Sequence, residues 1–553
     1  MAFIDIKDLS FTYPEAKSPA LSHVDLSIGE GEFVLVAGPS GCGKSTLLKH
    51  LKPSLAPFGT VSGSVKFMGR PVDELDLRRE SREIGFVMQD PEMQIVTDKV
   101  WHELAFGLES LGTGVTEMRV RIAETANFFG IGKWMESDCA SLSGGQKQLL
   151  LLAAVTAMQP RLLLLDEPTS QLDPVAASEF FDTLRRINQE LGTTVIVTEH
   201  RTEGLFPIAD RVVFMREGGV VFSGTPREAA SLIEKDPSFT AVLPAAMTVF
   251  ARTRGQEPLS SSPLTVREGM QYLKARLGGE SLSIPSPAPQ KHEKKQPVIA
   301  MRGAWFRYSK NGADILKGTD LDVLPGELLA VIGGNGEGKT TALMAASGMY
   351  KPYRGKVLLN GKPISSVPEG ERYGKTIGVL LQNPLLGFTR DSIREELEAV
   401  RKRFRLSEER VAEVVELMEL SPILDSNPYD VSGGEVQRAA IAKLLLPAPS
   451  VLFLDEATKG MDAFFKLRFG ALLRKLTALG TAIVLVSHDI EFCAEYADRV
   501  AMFALGGVIA EGSPRTVLGG NSFYTTAAAR IARGSIENAL TAEDIVSLIE
   551  KKA

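Results

Sequence analysis

The chain has 553 residues, of which 44% are hydrophobic and 24% are charged, and its formal net charge is −6. This length exceeds one ordinary domain, and the composition is that of a globular protein with sizeable cores, while the mild negative charge disfavours a protein that coats nucleic acid. The three cysteines lie far apart without a CxxC pair, which gives no support to a zinc ribbon or an iron–sulfur cluster and favours a reducing, cytoplasmic setting.

No segment has the character of a signal peptide, and no apolar stretch approaches the ~20 residues that span a bilayer. The longest apolar runs, at 149–158 and 162–165, predict a buried helix and a buried strand instead. We therefore expect any membrane function to be carried out through a partner.

In chain order, the first half opens with short β-type segments, among them FVLVAG, and then alternates helices with the apolar strands LLLLD and VIVTEH. The second half repeats this succession with LLAVIG, VLFLD and IVLVSH. Continuous Val/Leu/Ile strands separated by helices are typical of a mainly parallel sheet that is covered on both faces. The predicted fold class is therefore α/β.

The chain contains one internal duplication. Landmark residues recur in the same order, and their offset drifts only from 339 − 44 = 295 to 488 − 200 = 288. This pattern predicts a duplicated domain of roughly 230 residues, which is too long for a solenoid repeat. The landmarks are Lys44 and Lys339, Gln89 and Gln382, Ser143 and Ser432, Asp166 and Asp455, and His200 and His488.

A change of composition separates the two copies. The stretch IPSPAPQKHEKKQP is Pro-rich and then charged, as exposed linkers are. Short helical stretches before this linker resemble those at the end of the chain. We predict a first domain at 1–235, a helical tail and linker at 236–297, a second domain at 298–518, and a C-terminal helical tail at 519–553.

Each half contains the P-loop pattern G-x-x-x-x-G-K-[S/T] between an apolar strand and a helical stretch. Its glycines let backbone amides wrap phosphates, and the helix N-terminus adds partial positive charge. We expect Lys44 and Lys339 to reach the β- and γ-phosphates, and Ser45 and Thr340 to hold Mg²⁺. The predicted phosphate-binding residues are Gly38, Pro39, Ser40, Gly41, Cys42, Gly43, Lys44, Ser45 and Thr46 in the first half, and Gly333, Gly334, Asn335, Gly336, Glu337, Gly338, Lys339, Thr340 and Thr341 in the second.

An Asp-Glu pair ends one buried strand in each half, at the edge where α/β sheets place their ligands. Asp166 and Asp455 are suited to bind Mg²⁺, directly or through water. Glu167 and Glu456 are suited to polarise the attacking water.

A histidine follows a further apolar strand in each half. His200 lies 34 residues after Asp166, and His488 lies 33 residues after Asp455. A lone histidine is more often structural, but this matched placement predicts that both orient or sense a γ-phosphate.

A Ser-Gly-Gly element heads a helix in each half. A serine hydroxyl and exposed amides at a helix start form an anion site, although elsewhere such an element is simply a helix cap. The elements comprise Ser143, Gly144, Gly145 and Gln146 in the first half, and Ser432, Gly433, Gly434 and Glu435 in the second.

Taken together, these motifs resemble those of ABC ATPases over nearly all of both halves. The resemblance implies two ABC-type P-loop nucleotide-binding domains, each with a mainly parallel sheet core, an antiparallel β part and a helical subdomain. It implies ATP hydrolysis with Mg²⁺ as cofactor. By this resemblance the catalytic residues would be Glu167, His200, Glu456 and His488. The Q-loop residues, which also contact Mg²⁺, would be Gln89 and Gln382, and the D-loop residues would be Asp173 and Asp462. Adenine would stack on Tyr13 and Tyr308.

The resemblance also implies a head-to-tail pairing of the halves. ATP on the first P-loop would be capped by Ser432–Gly434, and ATP on the second by Ser143–Gly145. One chain would then supply a whole ATPase core. The second half departs from the family pattern at Glu435, where glutamine is usual, and in its D-loop sequence KGMD. We expect two competent sites, of which the one capped by Val431–Glu435 is slower.

The segment from Gln89 to Gln94, QDPEMQ, followed by VWHELAFGLESLG, resembles the ATPases of energy-coupling-factor (ECF) transporters and of related cobalt and nickel importers. The second half keeps Gln382-Asn-Pro and IREEL at 393–397 but lacks AFGLE. The resemblance implies a peripheral protein at the cytoplasmic membrane face. Its partners would be a membrane T-component, contacting Gln89–Leu108 and Gln382–Leu397, and a substrate-binding membrane subunit.

Other classes stay open. A fused conventional ABC importer ATPase is the nearest competitor, and a tandem ABC protein acting on ribosomes is a more distant one. The ribosome-acting class has a long basic helix pair between its domains, which the Pro-rich linker does not fit. A DNA-repair ATPase would need zinc modules or long coiled coils, and the sequence shows neither. The sequence leaves the transported substrate open among a vitamin, a vitamin precursor and a metal ion.

Overall fold

The computed structural model describes residues 2–14, 16, 18–170, 172–200, 202–285, 296–522 and 524–552. The chain divides into two compact units, which are Met1–Glu268 with Asp462–Phe464, and Gly269–Met461 with Phe465–Ala553. Most of the predicted Pro-rich and charged linker, at 286–295, lies outside the described residues.

The first unit contains strands and helices in the predicted alternation. Its strands are β1 (Ile4–Thr12), β2 (Leu21–Ile28), β3 (Phe33–Ala37), β4 (Thr60–Phe67), β5 (Arg70–Pro71), β6 (Ile84–Val87), β7 (Leu162–Asp166), β8 (Thr194–Thr198), β9 (Arg211–Arg216) and β10 (Gly219–Gly224). Its helices are α1 (Lys44–His50), α2 (Leu77–Glu83), α3 (Val100–Ser110), α4 (Val115–Phe128), α5 (Gly144–Ala157), α6 (Pro174–Leu191), α7 (Leu232–Lys235) and α8 (Ala245–Thr253), and α9 (Val266–Arg276) runs across the division.

Two sheets form the core of this unit. The larger sheet has the order β10-β9-β3-β8-β7-β6 and is parallel except for β10, and the smaller antiparallel sheet has the order β2-β1-β4-β5. Every residue of β3 is buried, since alternate side chains enter two different apolar clusters. Leu35 packs with the helices, whereas Val34 packs with the small sheet.

The second unit repeats this architecture. Its strands are β11 (Leu282–Ser283), β12 (Ile299–Phe306), β13 (Leu316–Val323), β14 (Leu328–Gly333), β15 (Arg354–Leu359), β16 (Lys362–Pro363), β17 (Ile377–Leu380), β18 (Val451–Asp455), β19 (Ala482–Val486), β20 (Arg499–Ala504), β21 (Gly507–Gly512) and β22 (Ile536–Glu537). Its helices are α10 (Lys339–Ala346), α11 (Glu369–Arg372), α12 (Ile393–Phe404), α13 (Glu408–Leu417), α14 (Gly433–Leu445), α15 (Ala463–Ala478), α16 (Ile490–Tyr496), α17 (Pro514–Leu518), α18 (Ala527–Ala532) and α19 (Ala542–Lys552).

The strand order of the second unit, β17-β18-β19-β14-β20-β21, matches that of the first, and its antiparallel sheet has the order β13-β12-β15-β16. A short parallel pair, β11 with β22, is an addition to this plan. The α/β fold class predicted from the sequence, with a parallel core and an antiparallel part in each half, is therefore confirmed. The buried helix and strand predicted from the apolar runs are α5 and β7.

Membrane-spanning helices were sought throughout the described part of the chain. No helix there combines the length and the apolar character that crossing a bilayer demands.

The central position of β3 makes the stability of the first unit sensitive to its side chains. Leu35 is fully buried, so Leu35→Ala leaves a cavity and should lower the free energy of unfolding by about 2–5 kcal/mol. The matched control is Leu191→Ala at the end of α6, where the side chain is exposed and the expected change is about 0.5 kcal/mol or less. The measurement is the urea midpoint of each variant, and equal midpoints would contradict this packing.

Candidate functional site

The site of the first unit lies where three neighbouring parallel strands end. Strands β3, β8 and β7 are adjacent, so their carboxyl ends share one edge of the sheet. The P-loop follows β3, the Asp166-Glu167 pair ends β7, and His200 follows β8. Motifs more than 30 residues apart in sequence thereby meet at one edge.

The backbone of the P-loop depends on glycine at defined positions. Gly38 and Gly43 have φ angles of 151° and 101°. A Cβ atom on Gly43 would lie 2.4 Å from the carbonyl oxygen of Ala20, so a side chain does not fit there. Gly43 is also the N-cap of α1, and no side chain caps its first amides. Those amides remain directed at an incoming anion.

Lys44 folds back over its own loop. Its Nζ donates hydrogen bonds to the carbonyl oxygens of Gly38 and Pro39, both at 3.0 Å. The side chain is buried and its Nζ lies 3.8 Å from Oε1 of Glu167. The ammonium group therefore lies between the P-loop and the carboxylate pair.

Asp166 is held by two hydroxyl groups from different elements. Ser45 Oγ donates to its Oδ1 at 2.9 Å, and Thr198 Oγ1 donates to the same oxygen at 2.8 Å. Burial and the neighbouring Glu167 raise the pKa of Asp166. Ser45 and Asp166, the predicted magnesium ligands, are thus in direct contact.

Glu167 is the point on which the other predicted residues converge. His200 Nε2 lies 2.8 Å from its Oε1, and Gln89 Nε2 donates to its Oε2 at 3.0 Å. Burial would raise the pKa of Glu167, but His200 and then Lys44 outweigh it and lower the pKa overall. The carboxylate is consequently held in its charged form beside an imidazole.

The second unit has the same frame with different contacts. Lys339 Nζ donates to the carbonyl oxygens of Gly333 and Gly334, at 3.1 and 2.8 Å. His488 Nε2 lies 3.3 Å from Oε1 of Glu456, against 2.8 Å in the first unit. Burial and then Asp455 raise the pKa of Glu456 to about 7. The two predicted catalytic carboxylates therefore have different proton affinities.

Asp455 in the second site differs from Asp166 in its hydrogen bonding. Both of its carboxylate oxygens are buried, and neither has a hydrogen-bond partner among the described residues. Burial raises its pKa, although the nearby Thr340 hydroxyl and Lys339 lower it. A buried carboxylate without donors is costly unless a cation or water satisfies it, so the donor set of Asp455 and Thr340 fits a hydrated Mg²⁺ ion.

The two Q-loop residues differ in position. Gln89 is half-buried and bonded to Glu167, whereas Gln382 is exposed. Within the described part of the chain, no side-chain hydrogen bond joins Gln382 to Glu456. The structure therefore brings the first Q-loop residue to its carboxylate and leaves the second away from it.

Each Ser-Gly-Gly element begins a helix, α5 or α14, but the serine hydroxyls have different partners. Ser143 Oγ accepts a hydrogen bond from the Gln146 amide at 3.3 Å, which leaves its proton available. Ser432 Oγ instead donates to Glu435 Oε2 at 2.7 Å. The substitution of glutamate for glutamine thus changes the donor capacity of the second element.

Each D-loop residue directly precedes a helix, and each tyrosine contacts a P-loop helix. Asp173 caps α6 by accepting from two backbone amides at 2.9 and 3.0 Å, and Asp462 is buried just before α15. Tyr13 and Tyr308 each contact a hydroxyl of the P-loop helix, Thr46 at 3.1 Å and Thr341 at 2.9 Å. Both rings are partly exposed, as an adenine-stacking surface requires.

Sequence reasoning missed two residues beside the first site. Thr198 bonds to Asp166, and Glu199 accepts hydrogen bonds from the turn that follows Glu167. Neither belongs to a recurring motif, since the second unit has Val486 and Ser487 at these places. Their one sequence signal is that polar residues end an apolar strand, which alone says nothing about their partners.

Comparisons with known proteins identify the family of this chain. The profile of the family described as ABC transporter matches residues 21–170 and 316–459. A provisionally named ABC transporter ATP-binding protein of Bacillus anthracis is 40% identical over 99% of this chain and 98% of its own length. A relative from Methanosarcina acetivorans with the same provisional name is 35% identical over 92% of this chain and 85% of its own. Among solved structures, CbiO1 from Clostridium perfringens, part of the ABC transporter complex CbiONQ, is 30% identical with a TM-score of 0.39, covering 43% of this chain and 94% of that one.

The chain belongs to the ABC transporter family. It is an ATP-binding and ATP-hydrolysing subunit of a transporter, with the ABC ATPase domain present twice.

The P-loop geometry separates two glycines that both have positive φ angles. Gly41→Ala has open space around its Cβ, whereas Gly43→Ala clashes with the Ala20 carbonyl. In a chain whose second P-loop carries Lys339→Ala, we expect Gly43→Ala to weaken binding of a fluorescent ATP analogue at least about tenfold more than Gly41→Ala, or ~1.4 kcal/mol. Equal affinities of the two variants would show that backbone space at Gly43 is not what shapes the loop.

Proposed function

We propose that this protein is the ATPase of an ECF-type importer for a vitamin, a vitamin precursor or a transition-metal ion. Its partners are a membrane T-component and a substrate-binding membrane subunit, at the cytoplasmic face of the membrane. The observation that carries the proposal is an exposed apolar segment directly after the first Q-loop residue.

This Q-loop segment, residues 93–106, contains four large apolar side chains that solvent reaches. Between 40% and 78% of the surface of each is exposed, in a protein whose other large apolar residues are mostly buried. They are Met93, Val96, Trp101 and Phe106. Several exposed apolar residues within one short segment are typical of a protein interface, and α3 with its AFGLE sequence is where the ECF resemblance is strongest.

The matching segment of the second unit has a different character. Leu386 is exposed after Gln382, but the outward positions of α12 are charged, for example Arg394, Glu395 and Lys402. Two different surfaces beside two Q-loops support an asymmetric membrane partner, with an apolar contact at the first unit and a polar one at the second.

We assign the chemistry to the residues at the sheet edges. The P-loop amides bind the phosphates, and Lys44 and Lys339 exchange their backbone carbonyl partners for phosphate oxygens. Glu167 and Glu456 orient and polarise water, and His200 and His488 hold these carboxylates and the γ-phosphate. Mg²⁺ supplies charge neutralisation between the phosphates, and the residues that would hold it are Ser45, Asp166, Gln89, Thr340, Asp455 and Gln382.

In the ATP-bound state we propose that the halves pair within one chain. Each Ser-Gly-Gly element then caps the nucleotide on the opposite P-loop, with Asp173 and Asp462 in the D-loops and Tyr13 and Tyr308 against adenine. The domains that pair are residues 1–235 and 298–518, and 236–297 and 519–553 are their tails. Because the Ser432 hydroxyl donates its hydrogen bond to Glu435, it is not free to donate to a phosphate, and the site that it caps is the slower one.

Single replacement of the catalytic carboxylates tests whether both sites work. Glu167→Gln and Glu456→Gln keep the shape of each side chain and remove its ability to attract the water proton. We expect each to lower hydrolysis at its own site by at least about 10²-fold, the scale of general acid–base contributions, so that each single variant keeps only the turnover of the other site. The measurement is phosphate release at saturating ATP, and an unchanged rate for either variant would mean that its site is silent.

The membrane partner is tested by recovering the full chain from solubilised membranes and identifying what accompanies it. Trp101→Asp with Phe106→Asp places charge in the apolar segment, and we expect the accompanying membrane proteins to fall at least about tenfold, since aromatic anchors of an interface each contribute about 2 kcal/mol or more.

The matched control is Val221→Asp. Val221 is exposed on β10, at the opposite edge of the sheet from β6, which leads into the Q-loop. It should leave recovery unchanged. Recovery of ribosomes, or equal recovery by all three chains, would overturn the proposed function.

A further inference from the structure

A buried carboxylate next to His200 takes no part in the chemistry assigned above. Glu199 is 2% exposed and accepts three hydrogen bonds. Its Oε1 accepts from the Thr169 amide at 2.8 Å and from the Thr169 hydroxyl at 2.6 Å. Its Oε2 accepts from the His200 amide at 3.1 Å.

Thr169 belongs to the turn that carries Glu167. The Ser170 amide donates to the Glu167 carbonyl at 3.2 Å, and the Leu172 amide donates to the Thr169 carbonyl at 3.0 Å. Glu199 therefore ties this turn to the start of the loop after β8. The side chains that the two loops carry, Glu167 and His200, meet at 2.8 Å.

Packing alone does not explain a carboxylate here. Burial raises the pKa of Glu199, which the two bonds from Thr169 oppose. Burying a charged group costs free energy unless its donors are in place, so an apolar residue would fill the same space more cheaply. What the carboxylate adds is a fixed position for three donors on two loops.

The second unit makes the same connection with neutral groups. Ser487 and Thr458 occupy the equivalent places, and their hydroxyl oxygens lie 3.0 Å apart. There the histidine and the catalytic carboxylate are 3.3 Å apart, against 2.8 Å in the first unit. The second unit is therefore an internal reference in which uncharged hydroxyl groups connect the two loops.

We propose that Glu199 is a positioning residue for ATP hydrolysis in the first half, which holds the turn bearing Glu167 against the loop bearing His200. The role rests on the proposed function of Glu167 and His200. Glu199 acts through Thr169 and through the His200 amide, and does not touch the nucleotide.

Loss of the bridge should affect turnover and spare ATP binding. A displacement of about 1 Å in a catalytic group costs on the order of 10²-fold in rate, whereas the P-loop that binds the phosphates does not depend on Glu199. A fall in kcat at constant KM for ATP is therefore the expected signature, and a general loss of folded protein would instead lower the active fraction.

The experiment compares Glu199→Ala and Glu199→Ser in a full chain that also carries Glu456→Gln, so that turnover reports the first site, with the folded fraction checked by thermal unfolding. We expect Glu199→Ala to lower kcat at least about tenfold with KM within about twofold. Glu199→Ser should recover most of the rate, because serine at the equivalent place of the second half reaches its threonine. Thr169→Val removes the hydroxyl donor, keeps the shape of the side chain and should lower kcat severalfold. This variant replaces Glu199→Ala as the test if the Glu199→Ala chain does not fold.

Three results would overturn the role of Glu199. They are an unchanged kcat in Glu199→Ala or, if that chain does not fold, in Thr169→Val; a rate for Glu199→Ser as low as that for Glu199→Ala; and a KM that rises in step with the fall in kcat. In the same Glu456→Gln chain, Glu167→Gln separates this inference from the proposed function. If Glu167→Gln leaves turnover intact, the proposed function fails; if it abolishes turnover while Glu199→Ala does not, only the role of Glu199 fails.

Discussion

Adjacent parallel strands that end at one sheet edge are the constraint on which each ATP site depends. Backbone hydrogen bonds fix β3, β8 and β7 side by side, so the groups that follow them have no freedom to separate. A helix N-terminus, a carboxylate pair and a histidine are thereby placed together, and bonds such as Ser45 to Asp166 and His200 to Glu167 then form between them. The same strand order in the second unit repeats this constraint.

Within that shared frame, the side chains differ between the units. Asp166 is satisfied by two hydroxyl groups, whereas no described residue donates to the oxygens of Asp455. The pKa of Glu167 is lowered because His200 and Lys44 outweigh its burial, whereas burial and then Asp455 raise the pKa of Glu456 to about 7. A duplicated backbone fixes where groups lie, but it does not fix their charge.

These differences bear on the coupling of hydrolysis to the proposed membrane partner. In the first unit one residue, Gln89, joins Glu167, the predicted catalytic carboxylate, to the apolar Q-loop segment, so the proposed phosphate site has a short path to the surface. In the second unit the corresponding glutamine is exposed and the surface is charged. The proposed asymmetric partner and the unequal sites are therefore two consequences of the same divergence.

The sequence by itself determined the α/β class, the duplication and the family, because a P-loop, an Asp-Glu strand end and a Ser-Gly-Gly helix start are local patterns that work through neighbouring backbone. It also named the residues that meet at Glu167. Only the tertiary structure decided that Thr198 bonds to Asp166, that Glu199 holds Thr169, and that Glu456 and Glu167 differ in pKa. Those facts depend on burial and on strands distant in sequence lying side by side, which no local pattern records.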